Sequence, residues 1–109
     1  MSGDNQHRDS ISLPEVLSIR NVLDISATIS SEIESKDRII LEIPSSAEAD
    51  LSFVQLVESA RRQAKLQGKT LTLSSPVGER ILKVLERAGF VEAFTAEDAK
   101  FWLHKEVTA

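Results

Sequence analysis

The sequence contains no cysteine and no tyrosine, and its aromatic residues are four phenylalanines and one tryptophan. Without cysteine the chain has neither a disulfide framework nor thiolate chemistry, which is typical of a reducing compartment. We therefore expect a cytoplasmic protein. So few aromatic residues argue against a platform on which nucleic-acid bases would stack.

The sequence also lacks a basic excess and any long apolar run. Thirteen Lys and Arg stand against seventeen Asp and Glu, giving a formal net charge of −4. Nucleic-acid binding needs a basic face, so we expect no nucleic-acid partner. No apolar run approaches the ~20 residues of a membrane span, and the polar first ten residues lack a signal-peptide centre. We expect a disordered lead-in over residues 1–10, one domain over residues 11–109, and no direct membrane insertion.

No catalytic or metal-binding pattern is present in the sequence. The only histidines are His7 in the lead-in and His104 near the end. Metal sites need clustered ligands, and a Ser-His-Asp hydrolase needs a histidine held by the fold. Neither a phosphate-binding loop nor a dinucleotide-binding turn occurs. We therefore predict no enzyme activity, no catalytic residue, no metal and no cofactor.

The chain is organised around a predicted helix from Asp50 to Gly68. Asp50 is a good N-cap, because its carboxylate accepts a free backbone N–H of the first turn. Gly68 ends the helix, because glycine adopts the left-handed conformation without steric cost. Apolar runs over residues 38–43 and 70–73 flank this helix and read as strands. Strand, helix and strand predict a parallel βαβ unit. The apolar stripe of the helix is Phe53, Leu56, Val57, Ala60 and Ala64.

Shorter elements are predicted on both sides of this unit. A short strand at residues 11–13 precedes a helix that begins between Ser18 and Asn21 and runs to about Ser35. The apolar stripe of this helix is Val22, Ile25, Ile29 and Ile33. A third helix is expected to have Ser75 as its N-cap and to end at Gly89, with Phe90 packing back on the last turn. Residues 95–98 resemble another helix cap. They are followed either by a last short helix lined by Ala99, Trp102 and Leu103 or by an edge strand through Phe101 and Leu103, and short runs do not decide between the two.

The stretch LEIPSSAEADLSFVQLVESARRQAKLQGKTLTLSSPVGERILKVLERAGF resembles the STAS family, the domain shared by sulphate transporters and anti-sigma-factor antagonists. The resemblance covers about residues 11 to 104. Asp50, Gly68 and Gly89-Phe90 match the family's aspartate and helix-ending positions, and Phe94 with residues 95–99 is similar to its final stretch. The resemblance implies an α/β fold with about four strands in a mixed sheet, four or five helices and no catalysis.

The family's Asp-Ser-Ser/Thr-Gly turn reads Asp-Leu-Ser-Phe in this sequence. The serine that is phosphorylated in antagonists corresponds to Leu51, and the family's glycine corresponds to Phe53. Ser52 is the remaining candidate for phosphorylation, and its other interpretation is an ordinary first-turn serine. A phosphate there would bring about two negative charges to the start of the helix.

The resemblance leads to two hypotheses about function. The first is a bacterial signalling module, monomeric, that binds and regulates a protein partner with a histidine-kinase-type ATP fold, either an anti-sigma kinase or a chemotaxis-type histidine kinase. The alternative is an accessory subunit of a lipid-type ABC transporter ATPase. Leu51 and Val54 fall off the apolar stripe, and exposed apolar groups beside a polar loop anchor partners. The predicted partner-binding residues are Ser45, Ser46, Asp50, Leu51, Ser52, Val54, Gln55 and Arg62.

Overall fold

The structure, a computed structural model, describes residues 10–105, which form an α/β domain. The predicted lead-in, with His7, lies outside these residues except for Ser10, which begins the first strand. No helix within residues 10–105 is long and apolar enough to cross a membrane. The strands are β1 (Ser10–Ser12), β2 (Val16–Leu17), β3 (Arg38–Glu42), β4 (Glu48–Ala49) and β5 (Thr70–Leu73), and the helices are α1 (Val22–Ser35), α2 (Leu51–Leu66), α3 (Glu79–Arg87) and α4 (Ala96–Leu103).

The main sheet has three strands in the order β1-β3-β5, with β3 in the centre. All its pairs are parallel, with Ile11 opposite Leu41 and Leu41 opposite Leu73. The predicted βαβ unit is confirmed, because β3, α2 and β5 follow one another and the strands pair in parallel. The expected four-stranded mixed sheet is wrong for residues 10–105. A crossover helix lies between successive strands of the main sheet, which makes them parallel, and β2 and β4 form a separate parallel pair.

Alternation along the strands places the core on one face of the main sheet. Ile39 and Leu41 of β3 and Leu71 and Leu73 of β5 are buried, while the intervening threonines of β5 are exposed. The four predicted stripe residues of α1 are buried as well: Val22, Ile25, Ile29 and Ile33. Ile25, Ile29 and Ile33 pack with the inward residues of α2 in the hydrophobic core between the helices and this face.

Three predicted helix boundaries depend on local chemistry, and the structure confirms them. Asp50 is the N-cap of α2 and its side chain accepts a hydrogen bond from the backbone N–H of Phe53. Gly68 and Gly89 have φ angles of 72° and 82°. The N–H of Phe90 donates to the carbonyl of Leu85 at 2.9 Å, so that α3 ends in a Schellman motif.

The last stretch is a helix rather than an edge strand. Thr95 and Asp98 form a reciprocal capping box at the start of α4. In a capping box two free N–H groups of the first turn are satisfied by side chains, which favours helix over strand. The capping box therefore decides between the two interpretations that the apolar pattern left open.

The predicted start of α3 is wrong by several residues. Ser75 is not its N-cap; the N-cap is Gly78 and the helix begins at Glu79. The N–H of Val77 donates to the carbonyl of Trp102 at 3.1 Å, so this segment is hydrogen-bonded to the end of α4. With Ser75 as the N-cap, the N–H of Val77 would lie in the first helical turn. In the structure this N–H donates to Trp102 instead, so the helix begins later.

Candidate functional site

The candidate site lies at the carboxyl edge of the main sheet. Parallel strands end at the same edge, so the loops that follow β1, β3 and β5 gather there. The loop after β3 leads through β4 to Asp50, whose N–H donates to the carbonyl of Leu17 in β2 at 3.2 Å. The start of α2 is therefore held against the segment that precedes α1.

Asp50 joins these two segments through its carboxylate. One oxygen accepts hydrogen bonds from the Ser52 hydroxyl and from the N–H of Phe53, at 3.4 Å for the latter. The other oxygen accepts from the N–H of Ile19 at 3.1 Å. The Ser52 hydrogen bond is the main cause that lowers the pKa of Asp50 below its ordinary value of 3.8; desolvation opposes it, and the backbone donors assist it.

Ser52, the candidate phosphorylation site, is half-buried in the first turn of α2. Its hydroxyl is already engaged, because it donates to the carboxylate of Asp50. A phosphate on this oxygen would remove that donor and place about two negative charges beside an ionised carboxylate. The positive end of the helix would offset part of the repulsion. Phosphorylation would therefore rearrange the cap that joins the two segments.

The loop with Ser45 and Ser46 is exposed and firmly placed. The Ser46 hydroxyl donates to a carboxylate oxygen of Glu15 at 3.2 Å. A Cβ atom at Gly78 would come within 1.9 Å of the Ser45 carbonyl oxygen, so only glycine allows α3 to begin this close to the loop. Both serines are accessible to a partner at the same edge as Asp50.

Val54 was predicted to be exposed, and that prediction is wrong. Its side chain is fully buried. The buried arc of α2 is wider than one apolar stripe, because the helix packs against α1 and α3 as well as β5. Val54 therefore belongs to the core and does not contact a partner directly, whereas Gln55 beside it is exposed.

Arg62 is exposed but does not join the other predicted contact residues. It lies eleven positions after Leu51, so that at ~1.5 Å per residue the two are roughly 16 Å apart along the helix axis. Its side chain lines a groove formed by α2, β5 and α4. The predicted partner-binding set is thus divided between two places on the molecule.

The structure reveals an apolar patch that the sequence analysis missed in part. The side chains of Val16, Ile19, Leu23 and Leu51 are 53%, 67%, 79% and 42% exposed. These four residues, called the apolar patch below, lie at the carboxyl edge. Ile19 bonds to the Asp50 cap that Leu51 follows. Within residues 10–105 only Leu66 is a further exposed large hydrophobic side chain, and it ends α2.

A signal for part of this patch was present in the sequence. Leu23 falls outside the apolar stripe of α1, so periodicity alone would have placed it on the solvent side. Val16 and Ile19 offered no comparable signal. They lie in a short strand and a turn, and the residues that these segments contact are far away in the sequence. Only the pairing of β2 with β4 and the hydrogen bond to Asp50 bring them to the start of α2.

Arg61, next to Arg62 in the sequence, forms a network inside the fold. Its guanidinium lies 2.9 Å from Glu58 and 3.0 Å from Asp98, and its side chain is only 15% exposed. Trp102 is fully buried and donates through Nε1 to Glu58 at 2.8 Å. Burial acts to raise the pKa of Asp98, but hydrogen bonds from Thr95 and Arg61 outweigh it and lower the pKa. The network attaches α4 to α2.

The described part of the chain brings no three His, Asp or Glu side chains together that could hold a metal ion. His104 lies with Nε2 3.1 Å from the carbonyl oxygen of Leu73, at the end of β5. No protein-family model matches the chain, and a search of curated proteins finds no match. The resemblance to the STAS family therefore stays a prediction.

Proposed function

We propose that this protein is a non-enzymatic bacterial signalling module that docks a kinase with a histidine-kinase-type ATP fold. The docking surface is the apolar patch together with the Asp50 cap and the loop at Ser45 and Ser46. The observation that carries this proposal is that four exposed large hydrophobic side chains belong to β2, the segment before α1, the first turn of α1 and the start of α2, and that hydrogen bonds join the first two of these to the start of α2.

The composition of this surface suits protein binding. Exposed apolar side chains that are grouped and bordered by polar groups mark interaction sites. Burying such side chains contributes roughly 25 cal/mol per Å² of apolar surface removed from water. Asp50 and the two loop serines supply the polar border, and the hydrogen bonds from Ile19 to Asp50 and from Ser46 to Glu15 hold these segments in place before a partner arrives. Little ordering is then required on binding.

The kinase is supported by the resemblance to STAS proteins, in which the antagonists dock the corresponding helix start against such a kinase. Leu51 corresponds to the position of the phosphorylated serine, and it is exposed at the start of α2. An apolar side chain in that place favours constitutive docking over a phosphate-controlled switch. Ser52 modification would then act indirectly, by rearranging the Asp50 cap.

The test is a calorimetric titration of the protein with candidate anti-sigma and chemotaxis-type histidine kinases. Leu51→Ala and Leu23→Ser each shorten or replace one patch side chain. We expect either change to weaken binding by roughly tenfold or more, as for buried interface anchors. The matched control is Leu66→Ser, because Leu66 is the most exposed of these side chains, at 87%, and lies at the far end of α2.

Unchanged binding by both patch variants would remove the apolar patch from the proposal. Binding to a transporter ATPase subunit, with no binding to any kinase, would instead favour the alternative function. Incubation with ATP and the kinase that binds, followed by mass spectrometry at Ser52, separates constitutive docking from a phosphorylation switch. We expect no phosphate on Ser52, because its hydroxyl is engaged by Asp50.

A further inference from the structure

The outer edge of β5 is an open strand edge. β5 is the last strand of the main sheet, and within residues 10–105 it pairs only with β3, on its inner side. The N–H groups of Thr70 and Ser74 donate to Asp37 and Leu41 on the β3 side, at 2.9 Å each. In a parallel ladder alternate residues point to opposite edges, so the backbone groups of Leu71 and Leu73 point away from β3.

Only one hydrogen bond within residues 10–105 reaches this outer edge. The carbonyl oxygen of Leu73 lies 3.1 Å from Nε2 of His104. The N–H and carbonyl of Leu71 and the N–H of Leu73 have no further partner among the backbone hydrogen bonds of these residues. Unpaired groups on a strand edge are a template for pairing with another extended chain.

A groove of about 790 Å³ gives access to this edge. β5 forms its floor, and α2 and α4 form its walls, with Ala64 and Phe101 among the apolar lining residues. Arg61 lies 4.4 Å from the centre of the Phe101 ring, which fixes the wall that α4 provides. The groove is therefore shaped by the network between α2 and α4 and is not a gap between loose segments.

The groove is basic although the chain is acidic. Five cationic side chains line it, against the three carboxylates of Glu58, Glu97 and Asp98, which gives a net of two positive charges. The whole chain carries a net charge of −4. Several of these charges are paired: Glu58 and Asp98 with Arg61, Glu97 with Lys65 at 3.7 Å, and Asp37, outside the lining, with Lys69 at 3.8 Å. The five cationic residues are Arg61, Arg62, Lys65, Lys69 and Lys100.

We propose that an extended acidic peptide segment of a partner protein adds to the outer edge of β5. Its backbone pairs with Leu71 and Leu73, as in other cases of strand addition. Side chains of a strand alternate between faces, so apolar residues at every second position would face Ala64 and Phe101. The intervening acidic residues would face the cationic border. This site is separate from the apolar patch, so the inference does not depend on the kinase-docking proposal.

The test uses a labelled eight-residue peptide in which glutamate and valine alternate, titrated into the full chain and followed by fluorescence anisotropy. The control peptide alternates lysine and valine. We expect the acidic peptide to bind at least roughly tenfold more tightly, because like charges would face each other with the basic one. In amide hydrogen exchange measured by NMR, the N–H groups of Leu71 and Leu73 should become protected only when the acidic peptide is present.

A charge-reversal variant tests the groove without disturbing the core. Arg62→Glu replaces an exposed groove residue, and Lys83→Glu makes the same charge change on an exposed position of α3 outside the groove. We expect Arg62→Glu to weaken acidic-peptide binding by roughly three- to tenfold, and Lys83→Glu to leave it almost unchanged. Equal effects of the two variants would show long-range charge attraction and overturn the site.

Three other results would also overturn the proposal. These are equal binding of the acidic and basic peptides, no binding of either, and protection of the Leu71 and Leu73 amides in the protein alone. The last, with a concentration-dependent dimer in sedimentation analysis, would show that a second copy of the chain occupies the edge instead.

Discussion

The two ends of α2 differ in what they do with their side chains. At its start, Asp50 satisfies local N–H groups and large apolar side chains remain exposed around it. In its second half, Arg61 is nearly buried and is paired with Glu58 and Asp98, so that α4 is held against the helix. One end presents apolar surface to solvent, and the other uses charged groups inside the fold.

This contrast is the opposite of what is usual for charged and large apolar side chains. Charged side chains are usually solvated, and large apolar side chains are usually part of the core. Here the neighbours Arg61 and Arg62 differ in environment, since Arg61 is paired with Glu58 and Asp98 inside the α2–α4 network and Arg62 is exposed. We therefore expect changes to Arg61 and its partners to affect folding stability, and changes to the exposed side chains of the apolar patch to affect binding.

The largest expected effect is that of Trp102→Ala. Removing this fully buried side chain should lower the free energy of unfolding by about 3–5 kcal/mol, because it leaves a cavity between α4 and the core. Urea denaturation followed by circular dichroism measures the change, because the variant lacks the only tryptophan.

The control for this variant is Trp102→Phe, which keeps most of the ring and removes the Nε1 donor to Glu58. It should cost less, about 1.5–3 kcal/mol, for the lost hydrogen bond to a carboxylate that stays paired with Arg61. Equal losses for the two variants would mean that the hydrogen bond to Glu58, and not packing, accounts for the role of Trp102.

A smaller effect is expected for Asp50→Ala at the start of α2. Loss of the N-cap should lower the free energy of unfolding by about 1 kcal/mol at neutral pH. The pKa of Asp50 is lower in the folded protein than its ordinary value of 3.8, chiefly because Ser52 donates to it. The stabilisation by the carboxylate is therefore present above that value and is lost as the pH falls below it.

Asp50→Asn separates the charge from the cap, because asparagine also caps helices well. We expect the difference in unfolding free energy between the original protein and this variant to shrink as the pH falls from 5 to below 3.8. Urea denaturation over this pH range measures the difference. A gap that widens on acidification would contradict the lowered pKa of Asp50.

The smallest stability effect is expected for Leu23→Ser in the apolar patch. Because the side chain is 79% exposed, the free energy of unfolding should change by no more than about 0.5 kcal/mol. Thermal unfolding at two protein concentrations checks this. A larger, concentration-dependent loss would show that another copy of the chain buries the patch, and it would weaken the contrast between the two ends of α2.

The predictions from sequence succeeded where a few neighbouring residues decide the conformation. The Asp50 cap, the stops at Gly68 and Gly89 and the buried stripe of α1 all depend on contacts within a few positions of the chain. They failed at the start of α3 and at Val54. Those two positions depend on Trp102, Ser45 and neighbouring helices that are distant in the sequence.

The sequence by itself determined the α/β class, the central βαβ unit and the exposure of Leu51, because helix caps and apolar periodicity are local properties. Tertiary structure alone decided the strand order β1-β3-β5 with an open edge at β5, and that Val16 and Ile19 join Leu51 at the start of α2. The physical reason is that strand order, hydrogen bonds across loops and charge pairs such as Arg61–Asp98 join residues thirty or more positions apart. No local pattern of residue types records which distant partner each group will find.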